Sequence, residues 1–76
     1  MYSVDEFKND LDINHMEITF DMSDGHYFIS DSMGPGGILI RGPLNNERVS
    51  TSDDVLDKLL VEGKPMRDML NTINPD

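Results

Sequence analysis

Met16-Glu17-Ile18-Thr19-Phe20-Asp21-Met22-Ser23-Asp24-Gly25-His26-Tyr27-Phe28-Ile29-Ser30 is the stretch on which the fold of this 76-residue chain turns. Its period is two. Met16, Ile18, Phe20 and Met22 alternate with His15, Glu17, Thr19 and Asp21, the pattern of a strand with one face buried. Asp24-Gly25 reads as a two-residue hairpin loop, because glycine accepts the positive φ such a turn needs. That loop pairs Met22 with Tyr27 and Phe20 with Ile29 and places all four on the buried face. The opposite face receives Glu17, Thr19, Asp21, His26, Phe28 and Ser30. Phe28 therefore points away from the core. Either a second helix covers that face, or Phe28 is an exposed anchor for a partner.

Upstream of the hairpin the period is that of a helix. Val4, Phe7 and Leu11 recur at i, i+3 and i+7, and Ser3 with Glu6 forms a Ser-x-x-Glu capping box. Asp5 and Glu6 suit the positive end of the helix dipole. Downstream, Ser32-Met33-Gly34-Pro35-Gly36-Gly37 is a loop, and Ile38-Leu39-Ile40-Arg41 a third, short strand. Gly42-Pro43-Leu44-Asn45-Asn46 turns the chain, and Glu47–Ser50 reads as a fourth strand at an edge. Ser52 is the expected cap of a helix whose apolar face is Val55, Leu56, Leu59 and Leu60. Gly63 is placed to end it, and Pro65 to begin another at its first position. Met66, Met69, Leu70 and Ile73 repeat at helical spacing, which makes them core.

The charge of −9 is unevenly placed. Residues 1–31 hold eight carboxylates against Lys8, a local −7. Such a field favours basic partners and repels nucleic acid and anionic membranes. Direct nucleic-acid and membrane binding are therefore not expected. There is no cysteine, hence no disulfide and no thiolate metal site. No signal pattern and no apolar run near the roughly 20 residues of a membrane span is present. At this length a domain buries only about 60% of its unfolded surface, so without disulfides the chain has to hold itself by packing, a partner or self-association.

Gly25-His26-Tyr27-Phe28-Ile29-Ser30, then Ser52-Asp53-Asp54-Val55-Leu56, then Val61-Glu62-Gly63-Lys64-Pro65-Met66-Arg67-Asp68-Met69-Leu70, together resemble a group of small uncharacterised Firmicutes and phage proteins. There, a glycine- and tyrosine-bearing hairpin strand precedes a helix pair joined through Gly-Lys. The motifs are turn, cap and core residues, so the resemblance implies the fold. In size and acidity the chain is also similar to phage-encoded anti-CRISPR and anti-restriction inhibitors.

The residues that could carry chemistry read as structure. Asp10-Leu11-Asp12-Ile13-Asn14 opens like a calcium loop with Asp21 at its twelfth position, but His15 stands where an EF-hand requires glycine. His15 and His26 lie at opposite ends of the hairpin and have no third ligand. No Gly-x-Ser-x-Gly elbow is present. Gly34-Pro35-Gly36-Gly37 lacks the Gly-Lys-Ser/Thr ending of a phosphate loop.

These readings predict one α+β domain over residues 1–76. It is a three- to four-stranded antiparallel meander, preceded by a short helix and followed by a C-terminal helical pair. Ile18, Phe20, Ile29, Ile40, Leu56, Leu59 and Leu70 are expected to share its core. The expected function is non-enzymatic, with no catalytic residue, metal or cofactor. The chain is read as a phage- or mobile-element-encoded inhibitor, a DNA mimic in the cytoplasm of a bacterial host. Its expected partner is a basic host protein, a nucleic-acid-binding enzyme or effector. Spaced carboxylates imitate DNA, which places a charge about every 1.7 Å along its axis. The expected partner-binding residues are Asp5, Glu6, Asp10, Asp12, Glu17, Asp21, Asp24 and Phe28. The alternative is a structural or regulatory accessory protein working through a homodimer or a protein complex, its acidity serving only solubility.

Overall fold

The structure, a computed structural model, describes residues 2–31 and 36–75. The chain begins with helix α1 (Val4–Lys8), which runs on as a single π-helical turn over Asn9–Ile13. Strands β1 (Ile18–Met22), β2 (Gly25–Ser30), β3 (Ile38–Arg41) and β4 (Asn46–Val49) follow and pair antiparallel in the order β1-β2-β3-β4. Helix α2 (Ser52–Lys58) leads to a two-stranded hairpin of β5 (Leu60–Val61) and β6 (Lys64–Pro65). Helix α3 (Met66–Met69) and a 3-10 turn over Leu70–Thr72 close the chain. The fold is α+β, a four-stranded antiparallel meander with an N-terminal helix and a C-terminal helical pair. The loop expected over Ser32–Gly37 lies in part outside the described residues.

Each element forms for a local reason. The side chain of Ser3 accepts the backbone N–H of Glu6 at 3.1 Å and starts α1, as its spacing predicts. Phe7 and Leu11 are fully buried, and Val4 packs against the same cluster. His15, at φ 50°, adopts the left-handed conformation after the π-helical turn, and this ends it. Strand β1 begins only at Ile18, so Met16, expected on the buried face, is 46% exposed.

The hairpin keeps the expected faces with a different register. The turn is Ser23–Asp24, and Met22 pairs with Gly25, Phe20 with Tyr27 and Ile18 with Ile29. This is a slip of two residues from the pairing an Asp24-Gly25 loop would give. Because side chains alternate with period two, a slip of two leaves every residue on its predicted face. The observed pairing places Phe20 directly opposite Tyr27, and their rings stack with centroids 4.9 Å apart. Gly25 uses its freedom at φ 145° as the first residue of β2, where a Cβ would meet Pro43 Cγ at 2.7 Å.

The C-terminal region departs further from its pattern. Thr51, not Ser52, caps α2, in a capping box closed by Asp54. Ser52 is instead the first helical residue and is buried. Helix α2 stops at Lys58, well before Gly63. Glu62 and Gly63 both take positive φ, 53° and 86°, and form the tight turn between β5 and β6. Pro65 is the extended residue before α3 rather than its first helical one.

All seven residues expected in the core lie in it, with Tyr2, Phe7, Leu11, Tyr27, Ile38, Val49, Val55, Val61, Met66 and Ile73. Each large side chain removed from water in this way contributes about 1.5–3 kcal/mol. The helices pack on the sheet face that bears Ile18, Phe20, Tyr27, Ile29, Ile38 and Ile40. The other face carries Thr19, Asp21, His26, Phe28, Leu39, Arg41, Asn46 and Arg48, all half-buried or exposed, and Ser30, which is buried.

Candidate functional site

The helical side of the molecule concentrates negative charge. Asp5, Glu6, Asp10, Asp12, Asp53, Asp54, Asp57 and Asp68 lie on its helical turns with Lys8, Lys58 and Arg67, a net of −5. Two of those cations are committed to neighbours. Lys8 Nζ lies 2.9 Å from Asp53 Oδ1 and ties α1 to α2. Arg67 reaches Asp57 at 2.9 Å and Asp53 at 3.2 Å. The hydrogen bonds from Lys8 and then Arg67 hold the Asp53 carboxyl below the usual carboxylate range. All three pairs are exposed, so each contributes little to stability.

The predicted acids do not form one surface. Asp5 and Glu6 are exposed in the first turn of α1. Asp10 accepts the hydroxyl of buried Tyr2 at 3.0 Å, and Asp12 accepts that of buried Ser52 at 2.7 Å. Both carboxylates therefore anchor the π-helical turn while keeping their charge at the surface. Burial first, and then the Asp10 bond, push the Tyr2 phenol above its ordinary pKa. Glu17 is exposed at the entrance to β1.

Asp24 sits at the hairpin turn. The Tyr27 hydroxyl lies 2.8 Å from both of its carboxylate oxygens and accepts the Glu62 backbone N–H at 3.2 Å. Burial raises the Tyr27 pKa against the lowering effect of that N–H. Ser23 donates its hydroxyl to the Glu62 carboxylate, which closes the β1–β2 turn onto the β5–β6 turn. Asp21 lies on the outer sheet face, 2.6 Å from His26 Nδ1. Across the chain, His15 Nδ1 lies 2.5 Å from Asp31 Oδ2. The two histidines do not meet.

Two apolar residues beside the acids carry no expectation from the pattern or an incorrect one. Ile13 is 70% exposed at the end of the π-helical turn, and Met16 follows it. Both flank Asp12 and Glu17 in the chain. Ile13 falls off the Val4, Phe7, Leu11 stripe, which is the signal that could have marked it.

Phe28 belongs to the other side. It lies in a cross-strand row with Thr19 on β1, Arg41 on β3 and Asn46 beside Arg41 on β4. No helix covers this row among the described residues. Phe28 instead forms one wall of a shallow pocket of about 550 Å³ with His26, Arg41, Gly42, Pro43 and Asn46. Arg41 was not singled out by the sequence, because its position beside Phe28 depends on the β2–β3 register, which no turn signal specifies.

Among the described residues, no three side chains of a metal-binding type converge, and no helix is long and apolar enough to cross a membrane. No protein-family model matches the chain, and no curated protein or solved structure is significantly similar to it.

Proposed function

We propose that this protein is a non-enzymatic acidic binding protein. In this reading it inhibits a nucleic-acid-handling protein of a bacterial host, of the CRISPR-effector or restriction-enzyme type, by occupying its basic surface. The observation that carries the reading is the charge of the helical side, eight carboxylates against three cations, two of which are already paired. Carboxylates that accept hydrogen bonds from Tyr2 and Ser52 are held in place rather than neutralised, so they present a fixed negative field. Such a field raises encounter rates with a basic groove. Exposed Ile13 and Met16 within that region offer the apolar contact that slows dissociation once charge has steered the encounter.

The test is displacement of fluorescent duplex DNA from a panel of restriction enzymes and CRISPR effectors. The protein is expected to displace DNA from at least one of them at low salt, with potency that falls steeply as salt rises. Failure against every member, or potency indifferent to salt, would overturn the reading. Exposed Ile13, Met16 and Leu44 favour a second reading, an accessory protein that self-associates through apolar contacts. That protein would sediment as an oligomer at all salt concentrations.

A further inference from the structure

The pocket on the outer sheet face is chemically unlike the rest of this acidic chain. Arg41 is exposed there and makes no ion pair among the described residues, although the chain has 15 carboxylates. The one acid in the strands of this face, Asp21, is taken up by His26. It also lies on β1, two strands from Arg41, which is about 10 Å at ordinary strand spacing. The pocket is therefore lined by both a planar cation and the ring of Phe28, which are direct cross-strand neighbours.

The remaining lining completes a site for a small flat anion. Pro43 adds a second apolar wall. The Asn46 amide donates to the Gly42 carbonyl only at 3.4 Å, so a better acceptor would take its place. The engagement of His26 Nδ1 with Asp21 leaves Nε2 for a ligand. A guanidinium fork matches a carboxylate bidentately. One fork balances one negative charge, and a polyanion would meet the field of a −9 chain uncompensated. The volume is within the range of small-molecule sites.

From this we infer that the Phe28–Arg41–Asn46 pocket binds a small aromatic monocarboxylate, its carboxylate on Arg41 and its ring between Phe28 and Pro43. The site lies on the sheet face opposite the helices, so it neither depends on the inhibitory reading nor falls with it.

Benzoate and its neutral analogue benzamide are the probes, titrated into the full chain and followed by amide ¹H–¹⁵N shifts. Benzoate is expected to give saturable shifts at Phe28, Arg41, Gly42 and Asn46, with Kd on the order of 1 mM. Benzamide should bind at least about tenfold more weakly, since it loses the charge-assisted bonds. Arg41→Gln should abolish saturation while leaving the dispersion of core resonances intact. Equal binding of the two probes, shifts confined to other regions, no saturable response to benzoate, or full binding by R41Q would each overturn the proposal. The comparison of benzoate with benzamide needs no variant and decides the matter even if R41Q fails to fold.

Discussion

The two faces of the four-stranded sheet come from the same strands and are built on opposite principles. The inner face is apolar except at its β4 edge, where exposed Glu47 pairs with Ile40, and its buried residues share one cluster with those of the helices. The outer face is mixed, with an aromatic ring, an aliphatic side chain, two arginines, an asparagine and a histidine–aspartate pair in adjoining rows. Alternation alone creates both, because each residue of a strand has its neighbours on the opposite side. The inner face determines whether the chain folds. The outer face and the acidic helical side are left free to differ in chemistry, and they differ in their balance of charge, with two arginines on the first and a net of −5 on the second.

The sharpest way to break this division is to truncate one aromatic on each face. Phe20→Ala should cost about 3–5 kcal/mol in urea unfolding, since the ring is fully buried and stacked on Tyr27. Phe28→Ala should cost about 1 kcal/mol. Equal losses would mean that both faces are core.

A second contrast lies among the acids. Asp10→Ala with Asp12→Ala should cost about 2 kcal/mol, because each removes the acceptor of a buried hydroxyl. Asp5→Ala with Glu6→Ala removes favourable placement in the helix dipole and one long, exposed bond from the Ser3 hydroxyl, and should cost about 1 kcal/mol or less. Thermal melts of the two double variants separate the cases. If the order reverses, the acids of the π-helical turn are not structural anchors.

Two smaller effects concern the contact between the β1–β2 and β5–β6 turns. Tyr27→Phe keeps the stacked ring and deletes the hydroxyl that joins Asp24 to the Glu62 backbone, at about 1 kcal/mol by chemical denaturation. Glu62→Asn places at φ 53° a residue that tolerates the left-handed conformation. It should raise stability by less than about 1 kcal/mol, offset in part by loss of the Ser23 bond. A clear loss would show that the Ser23–Glu62 bond outweighs the strain.

Much of this architecture is legible in the sequence, and the failures have definite causes. Strand faces and the core were readable because period two survives a slip of two residues, so Phe20 and Tyr27 are buried in either register. The register itself was not readable, since Asp24-Gly25 is a stronger local turn signal than Ser23-Asp24. What selects the observed pairing is long-range: the Phe20–Tyr27 stack and the Tyr27 hydroxyl bonded between two turns. Thr51 and Ser52 are both competent caps, and only the bond from buried Ser52 to Asp12, forty residues away in sequence, assigns them different roles. The β5–β6 hairpin escaped because Leu59, Leu60 and Val61 continue an apolar run that suits either a helix or a strand. Charge was legible as a total and by segment. Its division between the faces was not, because it depends on which strands Arg41 and Arg48 join.

In the proposed function it is the acidic helical side, rather than net charge, that binds a basic partner. This is tested most directly by association rates with the DNA-binding protein that the displacement experiment identifies, measured at low and high salt. Two matched variants are compared, each shifting charge by the same amount. One reverses Asp5, Glu6 and Asp68 to lysine on the helices, and the other reverses Glu17, Glu47 and Glu62 away from them. The helical variant alone should associate at least about tenfold more slowly at low salt, and the difference should vanish at high salt. Equal slowing by both variants would show that only net charge matters, and slowing by neither would contradict the claim outright.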